Sequence, residues 1–543
     1  MESVTAKCML IVLGALALRR WFRRRALGRL PPGPAGYPIV GNAYDLPPKG
    51  IPEFQHWQKH RESYGPISSV SVMGLTIILI HDREVAHELM GKQSLKTAGR
   101  PQTEFGTGMC GFGELLPIQQ YNHDFRLARK LMQQQLGTKG VVSQFDELQT
   151  SEVRKFLGRV AKDPETIFEE FETLIAATVL KMTYGYSMTP SKTDPLVELA
   201  RRMIANMDRS LQPGAWPVDM MPILKYLPEW FPGAGFKQTA VQWKALKEET
   251  LNIPYSFVRQ LMSKGDYYPS YVSKLVQQCS DGKFGSKLGD SDENAIKSSA
   301  AVMFLGASDT VPSSLRSFVN AMIMFPEVQH KAQAELDRVV GKGRLPQFED
   351  RDQLPYIDAL VKEVHRWSPV APMGLPHTAV VDIYWNGYRI PQGSFVMPSI
   401  WWFCHDPDVY TDPDAFCPDR FMEPRNEPDP KTVVFGYGRR LCPGRHFADS
   451  SMFLVIVQML AVFNIGKKGD ENTAAGDCAT GNEIRVDHGS GAININHLVG
   501  CKVDITLRDA KAEDLLIDMN NADNKEEEDH SRLLASAINA MHN

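Results

Sequence analysis

Cys442 carries the richest chemistry in the chain. It stands in Phe435-Gly436-Tyr437-Gly438-Arg439-Arg440-Leu441-Cys442-Pro443-Gly444, a glycine-rich stretch leading into an apolar run over 447–463. A thiolate presented in this way can be the axial ligand of a haem iron, where it pushes electron density onto the metal and favours O–O cleavage. Gly438 and Gly444 allow close approach of the backbone to a flat macrocycle. Arg440 can pair with a carboxylate such as a haem propionate. The apolar run reads as a helix whose N-terminal dipole stabilises a negative sulfur. A lone Cys in a glycine loop is more often ordinary packing, but here Phe, Gly, Arg, Cys and Gly stand at fixed offsets.

Two further constellations bear on that site. Asp309-Thr310 comes after the apolar stretch 300–305 and the small residues Gly306 and Ala307. An acid next to a hydroxyl can relay the protons that dioxygen needs when its bond is split. The competing reading is a Thr bonding back to its own preceding turn, with Asp as a cap. Glu363 and Arg366, three apart, share a helical face and can form an ion pair. Exposed to water, such a pair would contribute little.

Taken together these segments resemble the cytochrome P-450 superfamily. Phe435 to Gly444 fits Phe-x-x-Gly-x-Arg-x-Cys-x-Gly at every named position. Glu363-Val364-His365-Arg366 fits Glu-x-x-Arg, and Pro418-Asp419-Arg420-Phe421 fits Pro-Glu-Arg-Phe with Asp for Glu. Gly306-Ala307-Ser308-Asp309-Thr310 fits Ala/Gly-Gly-x-Asp/Glu-Thr with Ala307 for the second Gly. All four occur in family order, and the resemblance covers roughly 30–519. It implies a mainly α (α+β) fold: one large domain with a small β region. It implies haem b with Cys442 as iron ligand, and Phe435, Arg440, Gly444, Arg129 and His377 as further haem-binding residues. Asp309 and Thr310 become the proton-delivery pair. Glu363, Arg366 and Arg420 become a buried structural network behind the haem loop. Met303, Phe304 and Ala307, with Val370 and Met373 from 370–374, become substrate lining, joined by a terminal lining loop over 491–497. Where the family carries Trp four residues before Arg129, this chain has Phe125, which has no N–H to donate. His123 is a candidate replacement, against the plainer reading of a wet helix face.

The activity implied is insertion of one oxygen atom from O2 into a lipophilic small molecule. The segment from Met220 to Gly233 is closest to fungal microsomal members, which points to secondary metabolism of terpenoids, polyketides or alkaloids. Gly106-Thr107-Gly108-Met109-Cys110-Gly111 satisfies G-x-G-x-x-G literally. A dinucleotide fingerprint must follow a strand and open a helix. This one comes after Pro101 to Phe105 and runs into more Gly and Pro, so it is expected to be a flexible loop. Without a flavin or nicotinamide fingerprint, electrons are expected from NADPH through a separate flavoprotein reductase. That partner would dock on the proximal side near Arg439 and Arg445. Other classes compete. A haem sensor or carrier, or an isomerase or dehydratase of the same fold, would keep the Cys loop without needing Asp309-Thr310. A zinc protein using Cys442, His446, Cys404, His405 and Cys417 would lack the compact ligand spacing of structural zinc sites.

The rest of the chain must position these groups. With 543 residues, 43% hydrophobic, it can bury a large core, and a net charge of -4 does not suggest a nucleic-acid partner. Eight Cys without regular spacing argue against a disulfide scaffold and for a reducing compartment. Residues 8–18 are apolar and are succeeded by Arg19, Arg20, Arg23, Arg24, Arg25 and Arg29, then Pro31-Pro32-Gly33-Pro34. Positive charge on the C-terminal side of the run places the haem domain on the cytoplasmic side. A spanning helix needs about 20 apolar residues, so the run reads as a marginal anchor, with a helix lying on the lipid surface as the alternative. The expected organisation is an anchor over 1–29 held in the endoplasmic reticulum membrane, a cytoplasm-facing haem domain over 30–519, and a polar tail over 520–543. Asp, Asn, Ala and Gly between 466 and 489 read as an insertion. Strands are expected on both sides of Gly74, a hairpin at Asn386-Gly387, and helices over 121–136, 293–325 and 327–340.

Overall fold

The computed structural model describes residues 28–48, 50–188, 194–212, 214–279, 289–467, 485–488, 496–499, 503–522, 530 and 534. The apolar N-terminal run, most of the 466–489 segment and most of the terminal lining loop lie outside the described residues. The chain is mainly helical with small sheets, and it divides into two compact units.

The first unit is built from Met1–Pro101, Met373–Phe403 and Tyr437–Arg440. Its strands are β1 (Ile67–Val72), β2 (Leu75–Ile80), β3 (His377–Thr378), β4 (Ile383–Trp385), β5 (Tyr388–Ile390) and β6 (Phe395–Pro398). β1 and β2 form an antiparallel hairpin with Val72 opposite Leu75, turning on Met73 and Gly74 at φ 49° and 93°. β6 joins β2 in parallel, Ile77 opposite Phe395, and β3 pairs antiparallel on the far side of β6. The end of β2 is a continuous buried run, as expected of an inner strand covered on both faces. The β4–β5 hairpin turns on Asn386 and Gly387, both with positive φ, as a two-residue primed turn requires. Helix α1 (Glu53–Tyr64) lays Phe54 and Trp57 against Val70, Leu79, Met373 and Met397.

The second unit comprises Gln102–Pro372, Cys404–Gly436 and Leu441–Asn543. Its main helices are α2 (His123–Leu136), α3 (Asp146–Lys162), α4 (Ile167–Tyr184), α5 (Pro195–Leu211), α6 (Gly235–Lys264), α7 (Tyr271–Cys279), α8 (Asp290–Met324), α9 (Pro326–Val339), α10 (Pro355–Trp367), α11 (Arg445–Val462) and α12 (Ala510–Ala522). α11 is apolar nearly all round, so packing surrounds it, and α8 runs beside it through the core with Asn294 and Gly306 left exposed. β7 (Phe463–Lys467) pairs with β10 (Val503–Leu507), and β8 (Arg485–His488) with β9 (Asn496–Val499).

The glycine-rich stretch after Pro101 corrects the sequence reading. Glu104–Met109 is a wide helical turn rather than a flexible loop, capped by the Thr103 hydroxyl, which accepts from the Gly106 and Thr107 amides. Phe105 stacks on Trp216 at 3.5 Å between centroids, and both rings stand edge-on to Trp243. The Phe105 amide donates to Asp219 at 2.8 Å, and Lys225 pairs with Glu104 at 3.0 Å. Lys247, fully buried on α6, reaches Glu114 at 2.5 Å and Glu248 at 2.9 Å. Gly106 is required here, because a Cβ would fall 2.8 Å from the Ser210 hydroxyl.

Beyond α12 two residues of the expected polar tail are described, His530 and Leu534. Leu534 is buried, and His530 Nδ1 accepts from the Ser187 amide at 3.1 Å. The imidazole packs against Tyr186 and Phe257.

Candidate active site

In the second unit the Cys442 loop is closed by its own backbone, since the Cys442 amide donates to the Phe435 carbonyl at 2.9 Å. Phe435 in turn meets the edge of the buried His365 ring at 5.4 Å. Gly444 is the residue before α11, so the first amides of that helix, Gly444 and Arg445, point at the Cys442 sulfur. Arg129, on α2, donates Nη2 to the Leu441 carbonyl at 2.7 Å. Loss of water around the half-buried Cys442 raises its thiol pKa, against the pull of the Gly444 amide, Arg129 and Arg445. Burial likewise lowers the Arg129 pKa, while Cys442 acts in the opposite sense. A metal deprotonates a coordinating thiol outright, and these amides and guanidiniums are already placed to hold the resulting charge. A Cβ at Gly444 would meet nothing within 4 Å, so the sulfur's neighbour leaves open space.

The first unit gathers cations. Arg440 donates Nε and Nη2 to the Ala98 carbonyl at 2.8 and 2.6 Å. Arg100 donates Nη1 to the Leu375 and Pro376 carbonyls, both at 2.8 Å. His377 Nδ1 lies 2.8 Å from the Thr97 carbonyl, which can only accept, so that nitrogen carries the proton. Burial first, and Arg440 second, pull the Arg100 pKa down to about 9. Burial and then Arg100 hold the His377 imidazole well below its usual range, hence neutral. Two guanidiniums this close together suit a ligand that brings two carboxylates. Arg100 was not singled out from the sequence. The signal was there, as the one charged residue in Thr97-Ala98-Gly99-Arg100-Pro101-Gln102.

On α8 the Thr310 hydroxyl donates to the Gly306 carbonyl at 2.8 Å, and Ser308 to Phe304 at 2.6 Å. Asp309 and Thr310 are half-buried, Gly306 is exposed, and a Cβ at Gly306 would meet nothing within 4 Å. Met303 and Phe304, expected as lining, are 6% and 5% exposed within the main core, while Val302 and Ala307 are only half-buried. Met373 is packed in the first unit's core beside Trp57 and Leu79, and Val370 is half-buried. Of the three α8 residues expected as lining, Ala307 thus lies on the open side and Met303 and Phe304 lie in the core. His123 is exposed beside Asp124, the wet helix face, and Phe125 is buried.

Glu363, Arg366 and Arg420 are all fully buried. Glu363 takes Arg366 in a two-pronged contact at 2.8 and 2.9 Å, and Arg420 Nε at 2.9 Å. Arg420 also reaches Glu427 at 2.7 Å. Burial pulls the Arg420 pKa down, but Glu363 and Glu427 outweigh it and leave it raised. Backbone carbonyls of Thr411, Asp412 and Ala415 accept the remaining Arg420 donors, so the cluster pins the segment before the Cys loop. Among the described residues no group of three or more His, Cys, Asp or Glu is arranged to hold a metal ion by itself.

The family model for cytochrome P450 matches residues 31–476. The chain is 45% identical over 474 residues to the multifunctional cytochrome P450 monooxygenase af510 of Aspergillus fumigatus, covering 87% of each protein. It is 46% identical over 463 residues to the cytochrome P450 monooxygenase CLM2 of Gibberella zeae, covering 85% of this chain and 88% of that one. It is 39% identical over 469 residues to an O-methylsterigmatocystin oxidoreductase of Aspergillus flavus, covering 85% and 88%.

Proposed function

The chain belongs to the cytochrome P450 family and is a haem-dependent monooxygenase, and from that premise we propose that Cys442 is the iron ligand of a site that oxidises a lipophilic secondary metabolite. The observation that carries the assignment is the Cys442 sulfur under the first amides of α11, with Arg129 and Arg445 beside it. Bound haem supplies the iron on which dioxygen is activated, and a thiolate ligand favours O–O cleavage. The protein's part is to hold that sulfur's charge in place. Arg440, Arg100 and His377 are assigned to the propionates. His377 fits as a neutral donor and the guanidiniums as charged ones.

Thr310 and Asp309 are assigned to proton delivery. The Thr310 hydroxyl is oriented by its bond to the Gly306 carbonyl, which leaves its lone pairs able to accept from water. Val302, Ala307 and Val370 offer a largely apolar lining, which favours a lipophilic substrate. Terpenoid, polyketide or alkaloid skeletons fit that chemistry. Electrons are proposed to come from NADPH through a separate flavoprotein reductase, with Arg439, which is exposed, and Arg445 meeting acidic groups of that partner.

Membrane association is proposed from two features. One is the apolar run over 8–18 with the arginines after it. The other is the set of exposed apolar side chains Met220, Met221, Ile223, Tyr226, Trp230 and Phe231 in one short segment. Among the described residues no helix is long and apolar enough to cross a membrane. The proposed setting is the endoplasmic reticulum, with the haem domain facing the cytoplasm.

Cys442→Ala tests the central assignment. The purified variant should lose the red-shifted Soret band of the ferrous carbon monoxide complex, and a band that survives overturns it.

A further inference from the structure

Against the first residue of the Cys442 loop lies a buried imidazole that the site described above leaves unused. His365 stands one residue before Arg366 on α10 and is 6% exposed. Its Nε2 is buried and has no hydrogen-bond partner among the described residues. A buried polar atom without a partner costs free energy and calls for an explanation. A phenyl or aliphatic side chain in this place would carry no such cost.

The charged groups nearby do not supply the partner. Asp449 is close enough to act on the imidazole, but one of its oxygens takes Lys431 at 3.1 Å and the other takes Arg351 at 2.9 Å. Burial outweighs Asp449 and holds the imidazole pKa at about 4, so the ring is neutral at pH 7 and has one N–H to give. What the ring does meet is Phe435, with 5.4 Å between centroids and 67° between planes. A steep crossing lets the positive edge of one ring meet the negative face of the other. An N–H can be donated to an aromatic face in the same way.

Phe435 is the residue through which that contact reaches the sulfur. Its carbonyl accepts the Cys442 amide at 2.9 Å, so Phe435 and Cys442 brace the loop from its two sides. The main chain ahead of it is already held. Lys431–Val434 is a helical turn with Val433 buried, and the pair between Lys431 and Asp449 ties that turn to α11. The Phe435 ring itself is only half-buried, and the imidazole is placed to fix its tilt.

We propose that His365 is a positioning residue for the iron ligand: its Nε2–H rests on the Phe435 ring, keeps that residue in register with Cys442, and so sets how closely the Gly444 and Arg445 amides approach the sulfur. This rests on the haem reading above and deepens it. Hydrogen bonding around a ligating sulfur is one of the levers on the reduction potential of an iron centre. The quantity that His365 controls is therefore the ease with which the iron is reduced.

The test is a redox titration of the full-length haem-loaded protein, read from the Soret band without any turnover. His365→Leu should shift the balance of ferric and ferrous forms by about three- to tenfold, the range of one neutral hydrogen bond. Tenfold is about 59 mV for a one-electron couple. His365→Phe keeps an edge-on ring without the N–H, and its potential should fall between those of His365→Leu and the wild type. Phe435→Leu should also shift the potential, and in that background His365→Leu should add nothing, because the imidazole acts through that ring. His81→Leu removes another buried imidazole, from the first unit, and should leave the potential unchanged. A wild-type potential in His365→Leu, shifts that add in the double variant, or an equal shift in His81→Leu overturns the proposal. A wild-type potential in His365→Phe overturns the role given to the N–H. If the wild-type ferrous protein shows no red-shifted Soret band with carbon monoxide, the haem reading fails, and this inference with it.

Discussion

Glu363→Gln is expected to remove a large part of the stability of the second unit. One carboxylate oxygen accepts from Arg420 Nε at 2.9 Å, Arg366 Nη2 at 2.9 Å and the Cys417 amide at 2.7 Å. The other accepts from Arg366 Nε at 2.8 Å. Glutamine keeps the shape but turns one acceptor into a donor facing a guanidinium. It also leaves two buried guanidiniums with one carboxylate, Glu427, where two stood before. Removing one partner from a buried pair costs about 3–5 kcal/mol, against a total of about 5–15 kcal/mol for a folded domain. Urea unfolding followed by the Soret band and by tryptophan fluorescence measures it as a lowered midpoint. Glu198→Gln is the control, because its partner Arg201 is largely exposed and the midpoint should not move. A Glu363→Gln protein within about 1 kcal/mol of the wild type would refute the argument that uncompensated burial dominates here.

Thr310→Ala should keep haem and substrate binding but lose coupling, with NADPH consumption appearing as peroxide and the product yield falling at least about tenfold. Full coupling in that variant removes the proton-delivery assignment. Burial lowers the His365 pKa to about 4 from its ordinary 6.5. The unfolded chain therefore takes up a proton below pH 6.5 that the fold refuses until about pH 4. Stability is complete above pH 6.5 and falls between pH 6.5 and about 4, by on the order of 3 kcal/mol for this group. His365→Leu should make the urea midpoint less sensitive to acid in that window. His60, His81 and His377 are lowered in the same direction and should keep some slope.

What was legible in the sequence was local. The Cys442 loop, Glu363 with Arg366, and the Asn386-Gly387 hairpin each depend on residues close in the chain, so spacing alone carries them. The parallel pairing of Ile77–Ile80 with Phe395–Pro398 joins segments more than three hundred residues apart, and no short pattern encodes it. Met303 and Phe304 were expected on the open side of α8 and are buried, because the run over 300–305 is apolar throughout and offers no polar periodicity to read. Arg100 was missed because its partners are the carbonyls of Leu375 and Pro376, which have no sequence signature. The stretch over 104–109 looked like a loop because its glycines were read as freedom. Gly106 is there for contact, to let its backbone approach Ser210.

That contact bears on protein engineering. Exchanging one loop between relatives is a common way to alter what an enzyme accepts, and it assumes that the loop is a separable part. Here the segment from Glu104 to Glu114 is fastened at Ser210, Trp216, Asp219, Lys225, Trp243 and Lys247. A donor segment with any side chain at position 106 would meet the Ser210 hydroxyl, and one without acid at 114 would leave the buried Lys247 ammonium with Glu248 as its one carboxylate partner. The smallest block that can be transplanted intact therefore has two pieces, 103–114 and 207–248, moved together.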